Sequence, residues 1–575
     1  MTDNAFPQSH TTRSENENEP LIGNSFTAED DAFPPTETSS VDQEPKSSLH
    51  FFMVSLAIGG LQVVWSVQHS SASPYLLSLG LSKALLAFTW LAGPLTGTFV
   101  QPYIGIRSDN CSTRWGKRKP FMVVGGAGTI VCLLALAWIR EIVGIFSGWS
   151  TEQTQSGTNV AVIILAMVLI YCLDFAINTV QTATRAFIVD NAPWQQQKLA
   201  NAWASRISGA GNILGYCLGY LDLPTMFPFL GNTQFKVLCV VASVSLMTTL
   251  IISCTFTEEM VRAEEPPTRA PTATTPSIRL ILSSIGQLSS QTRKVFSVQL
   301  ASWFGWFPFL FFATTYMGQL YVDPIFDKNR DMSDDEIDKT WAYATRISTF
   351  ALFVNALISF TANIMLPLLI RPAQEEEMEA TKSTPNSSRS WRTLPSRCLQ
   401  KLWIPGLTLR RMWLLSHCAF AACMFSTFFI SSNQGASVMV GILGISWAIT
   451  AWVPYALIAT DIARFTAEKR QRQCQPVFGG NREHGNSQQH ETSLESGQGS
   501  SGQTGQAGIV LGIHNVFISF PQIVSGAVSS LIFKILQKPR GEPYDTSVAW
   551  VMRLGGCAAL VAAFLTMSLQ EQFQR

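Results

Sequence analysis

The chain has 575 residues, of which 47% are hydrophobic and only 14% charged, and its formal net charge is +1. Its mean hydropathy is +0.19, although both ends and three internal stretches are strongly polar. The apolar residues must therefore be concentrated in segments long enough to cross a bilayer, which takes about 20 residues each. This pattern excludes an ordinary soluble globular domain and predicts a polytopic membrane protein.

Twelve such apolar segments follow one another along the chain. They lie at residues 50–70, 84–106, 120–140, 159–182, 199–220, 235–256, 295–318, 343–369, 411–431, 436–459, 507–534 and 547–569. We therefore expect an all-α membrane protein with twelve transmembrane helices. An even number of spans places both termini on the same side of the membrane.

Basic residues in the short loops indicate which side that is. The loop between spans two and three contains five of them, Arg107, Arg114, Lys117, Arg118 and Lys119. On the opposite side, residues 431–437 carry no charge, and residues 327–339 contain more acids than bases. The positive-inside rule therefore places both termini in the cytoplasm. We expect the protein in the plasma membrane.

Four polar segments, rich in Ser, Thr, Asn, Pro and acidic residues, cannot bury enough apolar area to offset their ordering entropy. We predict a disordered cytoplasmic tail at 1–49, a cytoplasmic linker at 257–294, and disordered cytoplasmic loops at 371–408 and 461–505. The tail contains no signal-peptide core. The eleven cysteines form no CxxC pair, so we expect no disulfide framework, no metal site and no cofactor.

The linker divides the chain into two halves of six spans, at 50–256 and 295–570. A two-fold internal repeat would make corresponding spans alike. Span four ends in RAFIVDNA and span ten ends in YALIATDIA, and each leads to an aspartate, Asp190 or Asp461, at its inner boundary. This short echo favours two six-helix bundles with a ligand between them near the middle of the membrane.

Asp174 lies within span four, in the sequence YCLDFAINTVQTATRAFIVDN. A carboxylate near the middle of a span costs on the order of 3 kcal/mol on insertion scales, so it must face a cavity or a partner. It is the only Asp or Glu well inside a predicted span. A buried acid can exchange a proton near neutral pH as its access changes. We predict that Asp174 is the proton-coupling group of a carrier; the alternative is an acid that only holds helices together.

Arg185 follows Asp174 eleven residues later on the same helical face, about 16 Å along the axis. It could bind substrate, act in gating or simply extend to the aqueous phase. Asn178 and Gln181 lie between the two charges and form a polar stripe suited to hydroxyl groups. Further candidate substrate residues within the spans are Trp65, Gln68, His69, Trp306 and Asn515. Aromatic faces beside amide groups suit sugars.

Several longer stretches carry a family resemblance. They are GPLTGTFVQPYIGIRSDNCSTRWGKRKPF (93–121), LDFAINTVQTATRAFIVD (173–190), GNILGY (211–216), WFPFLFF (306–312), and GQAGIVLGIHN with PQIVSG (505–526). Together they resemble the sucrose–proton symporters of the glycoside–pentoside–hexuronide:cation symporter family, within the major facilitator superfamily. The resemblance runs from about residue 50 to 530.

This resemblance implies a twelve-helix major facilitator fold that imports an α-glucoside, typically sucrose, together with a proton. By motif, Asp174 matches the family's membrane acid implicated in proton coupling, and Arg185 matches the arginine implicated in sugar recognition. The family's cytoplasmic gate motif is matched by Gly105, Asp109, Arg114, Gly116 and Arg118. Plain positive-inside topology is the alternative explanation for the charges of that motif.

Span seven departs from the plant members of the family. The stretch FFATTYMGQLY stands where those members carry acids, and Ala313, Thr315 and Leu320 cannot titrate. A scheme that needs a second carboxylate in span seven is therefore in doubt. The long loop at 465–505 is more similar to fungal or animal relatives, so we expect a fungal-type member.

We therefore expect a secondary transporter that imports sucrose or a related α-glucoside with a proton by alternating access. Two alternatives remain open: a facilitator for another sugar or small solute, and a sugar sensor that does not transport. The expected partners are the sugar, the proton and the lipid bilayer, without nucleic acid, and we expect a monomer. The sequence contains no Walker loop, HExxH motif or nucleophile elbow, so an enzyme is not expected.

Overall fold

The computed structural model describes residues 45–111, 113–148, 160–193, 196–257, 259, 288–370, 403–473 and 501–570, without the side chains of 462–473 and 501–512. All structural statements below concern these residues. Most of the predicted tail at 1–49 and of the predicted segments at 257–294, 371–408 and 461–505 lies outside them. The disorder expected for the tail and loops therefore stays a prediction.

Before the predicted linker the chain forms a series of helices, which we number in chain order. They are α1 (Ser48–Ser78), α2 (Lys83–Thr89), α3 (Ala92–Asp109), α4 (Lys119–Ala137), α5 (Ile139–Ser147), α6 (Val160–Asp190), α7 (Gln197–Tyr220), α8 (Leu223–Met226) and α9 (Gln234–Phe256). Helix α1 is not uniform, because its α-helical parts, Ser48–Val67 and Ser73–Ser78, enclose a π-helical segment, Gln68–Ala72.

After the linker the helices are longer. They are α10 (Ser290–Lys328), α11 (Asp334–Met365, continued by a 3₁₀ turn at Leu366–Leu369), α12 (Leu409–Ser426), α13 (Asn433–Gln473), α14 (Ser501–Leu536) and α15 (Ser547–Met567). Helices α13 and α14 both extend into the segment 461–505, which was predicted to be a loop. The sequence ARFTAEKRQRQ at its start is rich in strong helix formers, and hydropathy does not detect a polar helix.

Nine helices of the described part are long and apolar enough to cross a membrane, by length and composition. The other three predicted spans are also helical, as α3, α7 and α12, but are not among these nine. Apart from one isolated bridge between Thr113 and Gly116, regular structure in the described part is helical. The all-α membrane class is confirmed, whereas the count of twelve spans stays a prediction.

Glycines allow close approach of helices at two crossings. A Cβ on Gly211 of α7 would overlap the carbonyl oxygen of Gly59 of α1, and a Cβ on Gly305 of α10 would lie 2.7 Å from the carbonyl oxygen of Gly555 of α15. Such small-residue contacts are a main source of helix association in lipid. The first crossing lies in the N-terminal set of helices (residues 48–256) and the second in the C-terminal set (residues 290–567).

The helices run back and forth between two faces, which we name after one residue each. The Arg118 face holds the α3–α4 turn and the C-terminal ends of α6 and α9, and the Lys83 face holds the start of α2 and the α14–α15 connection. The two sets meet where α7 packs against α11, and where α2 and α3 pack against α14. Helix α6, which carries Asp174 near its middle, packs against α1, α3 and α4.

Candidate functional site

Asp174 is 1% exposed in the middle of α6. Its Oδ1 atom accepts a hydrogen bond of 2.7 Å from Gln68 Nε2 of α1, whereas its Oδ2 atom is buried without a hydrogen-bond partner among the described residues. Gly93 of α3 lies next to this oxygen, since a Cβ built on it would be 3.7 Å from Oδ2. An unsatisfied buried carboxylate oxygen is unfavourable. A proton on Oδ2 neutralises it, and a ligand hydroxyl can donate to it.

Gln68 reaches Asp174 from the π-helical segment of α1. A π turn contains one more residue than an α turn and so changes the direction of its side chains, and such turns are frequent at functional sites. Gln68 is 2% exposed, and its Oε1 atom is buried with no described partner. Gln68 therefore orients the acid. Its predicted contact with substrate stays a prediction.

A chain of amides leads from Asp174 to the C-terminal set. Asn178 Nδ2 donates to the backbone oxygen of Asp174 and to Thr96 Oγ1, each at 2.9 Å. Gln101 Nε2 donates to Asn178 Oδ1 at 2.7 Å, and Asn515 Nδ2 of α14 donates to Gln101 Oε1 at 3.3 Å. The structure thus connects two predicted residues, Asn178 and Asn515, through Gln101, which the sequence argument missed. A row of amides and hydroxyls across both sets suits a ligand rich in hydroxyl groups.

Trp65 and His69, one turn apart in α1, form an aromatic surface beside α6. Their rings stack with centroids 5.4 Å apart, and His69 contacts Phe311 of α10 edge to face at 5.6 Å. Trp65 Nε1 donates to Gln181 Oε1 at 3.0 Å. Trp65, His69 and Gln181 are only partly buried. They combine aromatic rings with an amide, which suits a sugar ring.

Two predicted substrate residues make no hydrogen bond, ion pair or ring contact with this cluster within the described part of the chain. Arg185 is exposed and lies farther along α6 toward the Arg118 face, about 16 Å from Asp174 along the axis. Trp306 is 2% exposed, with ring centroids 4.4 Å from Phe420 and 5.1 Å from Trp447. Its surroundings are those of a packing residue within the C-terminal set. Substrate contact by either residue stays a prediction.

Arg118 of the predicted gate motif is buried at the Arg118 face, where it pairs with two acids that are themselves exposed. Its Nε atom lies 2.8 Å from Asp190 Oδ2, and its guanidinium also pairs with Asp109 and donates to Ser108. Its backbone N–H donates to Glu259 Oε1 at 2.8 Å. Burial lowers the pKa of Arg118, but Asp190 and Asp109 more than offset this, so that the pKa is raised above its usual value.

The other gate residues have different surroundings. Gly116 has φ of +107°, and a Cβ there would overlap the Glu259 carboxylate, so this turn requires glycine. By contrast, a Cβ on Gly105 would meet no atom within 4 Å, and Arg114 is exposed. Of the predicted gate motif, the structure thus joins Arg118, Asp109 and the Gly116 turn. Glu259, which the motif did not include, also contacts Arg118. A gating role stays a prediction.

Asp323 is a buried acid that the span prediction missed. It is 7% exposed in α10 and accepts hydrogen bonds from Gln319 Nε2 at 2.7 Å and from the backbone N–H of Tyr544 at 2.8 Å. Predicted span seven ended at residue 318, because Gln319 and Asp323 lower the hydropathy there, whereas α10 continues to Lys328. Helix α10 thus carries a buried carboxylate near the Lys83 face.

Lys83 and Asp545 form a buried ion pair between the two sets. Lys83 Nζ lies 2.8 Å from Asp545 Oδ2, and the two side chains are 10% and 2% exposed. Burial raises the pKa of Asp545, but the Lys83 ammonium and hydrogen bonds from Ser547 and Lys538 hold it below its usual value. A second contact between the sets, Arg346 Nη1 to Asp222 Oδ2 at 2.8 Å, lies at the same face.

A helical membrane protein that holds a buried acid and a row of amides where two sets of helices meet has the architecture of a transporter. The profile of the family described as MFS/sugar transport protein matches residues 53–323. The chain is 33% identical over 566 residues to the general alpha-glucoside permease of Schizosaccharomyces pombe, covering 90% of this chain and 93% of that protein. The chain therefore belongs to the MFS sugar transport family, a family of transporters and not of enzymes.

Similarity to other proteins is more distant. The chain is 28% identical over 344 residues to sucrose transport protein SUT1 of Oryza sativa subsp. japonica, covering 56% of this chain and 62% of that protein. A crystal structure of a mutant of the nucleoside transporter NupG matches with a TM-score of 0.52 at 13% identity, over 91% of this chain and 99% of that one. A structure of proton dependent oligopeptide transporters matches with a TM-score of 0.53 at 11% identity, over 91% and 98%. These two structural matches confirm the major facilitator fold and show nothing more.

Proposed function

We propose that the protein is a secondary transporter that imports sucrose or a related α-glucoside together with a proton by alternating access. Two relatives, named a general alpha-glucoside permease and a sucrose transport protein, support the substrate class. The row of amides from Asn178 to Asn515 and the aromatic surface of Trp65 and His69 support a ligand with many hydroxyl groups.

The observation that carries proton coupling is the half-satisfied carboxyl of Asp174. One oxygen is held by Gln68, and the other is buried without a described partner. One acid is energetically sufficient. A proton that moves through about 100 mV releases about 2.3 kcal/mol, and a pH difference of one unit adds about 1.4 kcal/mol. Together these support roughly 500-fold accumulation of a neutral sugar.

Roles for the candidate substrate residues follow from this proposal. The sugar path is lined by Gln181, Trp65, His69, Asn178 and Asn515. Arg185 contacts the sugar nearer the Arg118 face. Proton binding then favours sugar binding, and sugar binding favours proton binding to the same degree, because linkage is reciprocal.

We further propose an orientation. The basic residues of the α3–α4 turn favour a cytoplasmic Arg118 face. In this proposal both termini lie on that side, the Lys83 face lies outside, and the protein works as a monomer in the plasma membrane. The Arg118 cluster then acts as a cytoplasmic latch, and Lys83 with Asp545 holds the outer ends of the two bundles together.

The decisive experiment measures uptake of labelled sucrose and maltose by cells that express the protein. We expect faster uptake at pH 5 than at pH 7, and loss of accumulation when a protonophore is added. The variant Asp174→Asn should lose accumulation but keep exchange of labelled for unlabelled sugar, because exchange needs no net proton movement. Retained exchange also shows that the variant is folded.

The same assay separates the remaining alternatives. Accumulation that survives both the protonophore and Asp174→Asn would remove Asp174 from the mechanism. Flux that excess disaccharide does not inhibit indicates a carrier for another solute. Saccharide binding without any flux indicates a sensor.

A further inference from the structure

A cavity of 610 Å³ lies at the Lys83 face. Both sets of helices contribute to its wall, including Ser71 and Tyr75 of α1, Phe235 of α9, and Trp341 and Thr345 of α11. Pockets that bind small molecules have volumes of about 300–1,000 Å³, so a disaccharide or trisaccharide fits. None of the residues predicted to bind substrate is among its lining residues. This cavity is therefore distinct from the Asp174 cluster.

Aromatic rings form the apolar part of the wall. Tyr75 and Phe235 stack with centroids 4.0 Å apart and an angle of 15° between their planes. The Tyr75 hydroxyl donates to the backbone oxygen of Leu136 at 2.9 Å, which holds the ring in place. Trp341, only 6% exposed, also contributes to the lining. Rigid aromatic surfaces pack against the CH groups of sugar rings with little loss of side-chain entropy.

The polar part of the wall suits a neutral ligand better than an ion. Hydroxyl and amide groups line the cavity at Ser71, Asn232, Gln234 and Thr345. Four cationic residues line the wall. Three of them are paired with acids, Lys236 with Glu141, Arg540 with Asp338, and Arg346 with Asp222. The fourth, Arg140, donates to the backbone oxygen of Ser78 at 2.7 Å. Because acids compensate three of these cations and a backbone oxygen binds the fourth, the wall mainly offers hydrogen-bond donors and acceptors to a ligand.

One residue of the cavity wall belongs to the helical segment that also contacts Asp174. Ser71 lines the cavity and belongs to the same π-helical segment as Gln68, the partner of Asp174. Gly219 of α7 also lines it, and a Cβ there would lie 2.7 Å from the Thr349 side chain of α11. This close packing of α7 against α11 joins the two sets at the cavity wall.

We propose that this cavity is a saccharide vestibule, which holds a neutral di- or trisaccharide at the Lys83 face while the two sets are closed beneath it. Its exposure to the cell exterior rests on the orientation in the proposed function, whereas saccharide binding does not require Asp174. Because both sets form the wall, an occupied vestibule favours the arrangement of the sets that preserves it.

The test uses the full chain in intact cells, with a cysteine at Ala342, an exposed residue of α11 that lines the cavity. The control is Lys339→Cys, an exposed position of the same helix that is not among the lining residues. Both introduced cysteines should react with a membrane-impermeant thiol reagent. The chain without either added cysteine measures the background labelling of its native cysteines. If maltotriose binds with a Kd of about 1 mM, 10 mM maltotriose should slow the labelling of Ala342→Cys about tenfold. The labelling rate of Lys339→Cys should stay unchanged.

Each outcome decides a separate point. Protection of Ala342→Cys that persists in the Asp174→Asn background supports a site separate from the proton site, even if transport is lost. Equal labelling with and without maltotriose overturns the vestibule, as does protection by citrate but not by maltotriose. Labelling of both cysteines only after permeabilisation contradicts the proposed orientation while leaving the protection measurement valid. No labelling of Ala342→Cys under either condition overturns an accessible vestibule.

Discussion

Gln68 Nε2 of α1 lies 2.7 Å from Asp174 Oδ1 of α6 and donates a hydrogen bond to it across the helix interface. The donor belongs to the one π-helical segment in the described part of the chain. A hydrogen bond to a charged group contributes about 1.5–3 kcal/mol. A shift of this segment would therefore change how well the charged form of Asp174 is stabilised.

Replacement of Gln68 by Leu tests this link. Gln68→Leu removes the donor and leaves the acid without its described side-chain partner, so we expect sugar accumulation to fall about tenfold or more, which corresponds to about 1.4 kcal/mol. The control is Gln62→Leu on the same helix, since Gln62 bonds Asn212 and Ser208. Uptake of labelled sugar, compared at matched surface expression, measures accumulation in both variants. Equal losses in the two variants would show that Gln68 has no special connection to Asp174.

The ion pair of Lys83 and Asp545 should hold the two sets together. Removal of one partner leaves a buried charge, at a cost of about 3–5 kcal/mol, whereas removal of both is milder. We expect Lys83→Met or Asp545→Asn to lower the thermal unfolding temperature in detergent, and the double variant to recover part of the loss. The exposed pair of Arg330 and Asp327 is the control, and its removal should change little. Strictly additive effects at Lys83 and Asp545 would contradict the coupling.

The pH dependence of this pair follows from the pKa of Asp545. Because that pKa is held below its usual value, the pair stabilises the contact between the two sets fully at pH values above the ordinary pKa of aspartate, about 3.9. The stabilisation by this ion pair is lost only as the pH falls through the lowered pKa that Asp545 has in the folded protein. Asp545 therefore stays ionised from pH 5 to pH 7, and the change of uptake over that range should persist in Asp545→Asn. Loss of the pH profile in this variant would transfer the proton-coupling role away from Asp174.

Two glycines of the predicted gate motif should respond differently to alanine. Gly116 has φ of +107°, and a Cβ there would overlap Glu259, whereas a Cβ on Gly105 has open space around it. We expect Gly116→Ala to destabilise the protein by about 1–3 kcal/mol or more. Gly105→Ala within α3 should be neutral or stabilising by up to about 1 kcal/mol. Thermal unfolding of the two variants checks this, and a neutral Gly116→Ala would show that the turn tolerates a side chain.

Much of the candidate site could be predicted from the sequence, because polar residues inside an apolar segment stand out. Ionisable and amide residues inside an apolar segment are unfavourable in lipid unless they face a cavity or a partner, so Asp174 and Asn178 stood out without any knowledge of the fold. Helical periodicity placed Gln181 near them. Trp306 shows where this reasoning is weak, because an aromatic residue in a span is equally suited to packing, and here it contacts Phe420 and Trp447.

Other residues could be identified only in three dimensions. Gln101 looked like an ordinary polar residue of span two until the fold placed it between Asn178 and Asn515. Lys83 and Asp545 are 462 residues apart in the chain, and each alone resembles a loop charge. Asp323 lay beyond the predicted end of its span. None of these positions has a local pattern that distinguishes it.

The sequence by itself determined that this is an all-helical membrane protein of the sugar transport family, with an acid at the middle of one span. It could do so because the free energy of placing a segment or a charge in lipid depends mainly on that segment. Which polar groups meet was decided by the tertiary structure alone, as in the hydrogen bond from Gln68 to Asp174 and the ion pair of Lys83 with Asp545. Contacts between helices depend on their packing and rotation, and on a π turn of five residues, which hydropathy and motif spacing do not encode.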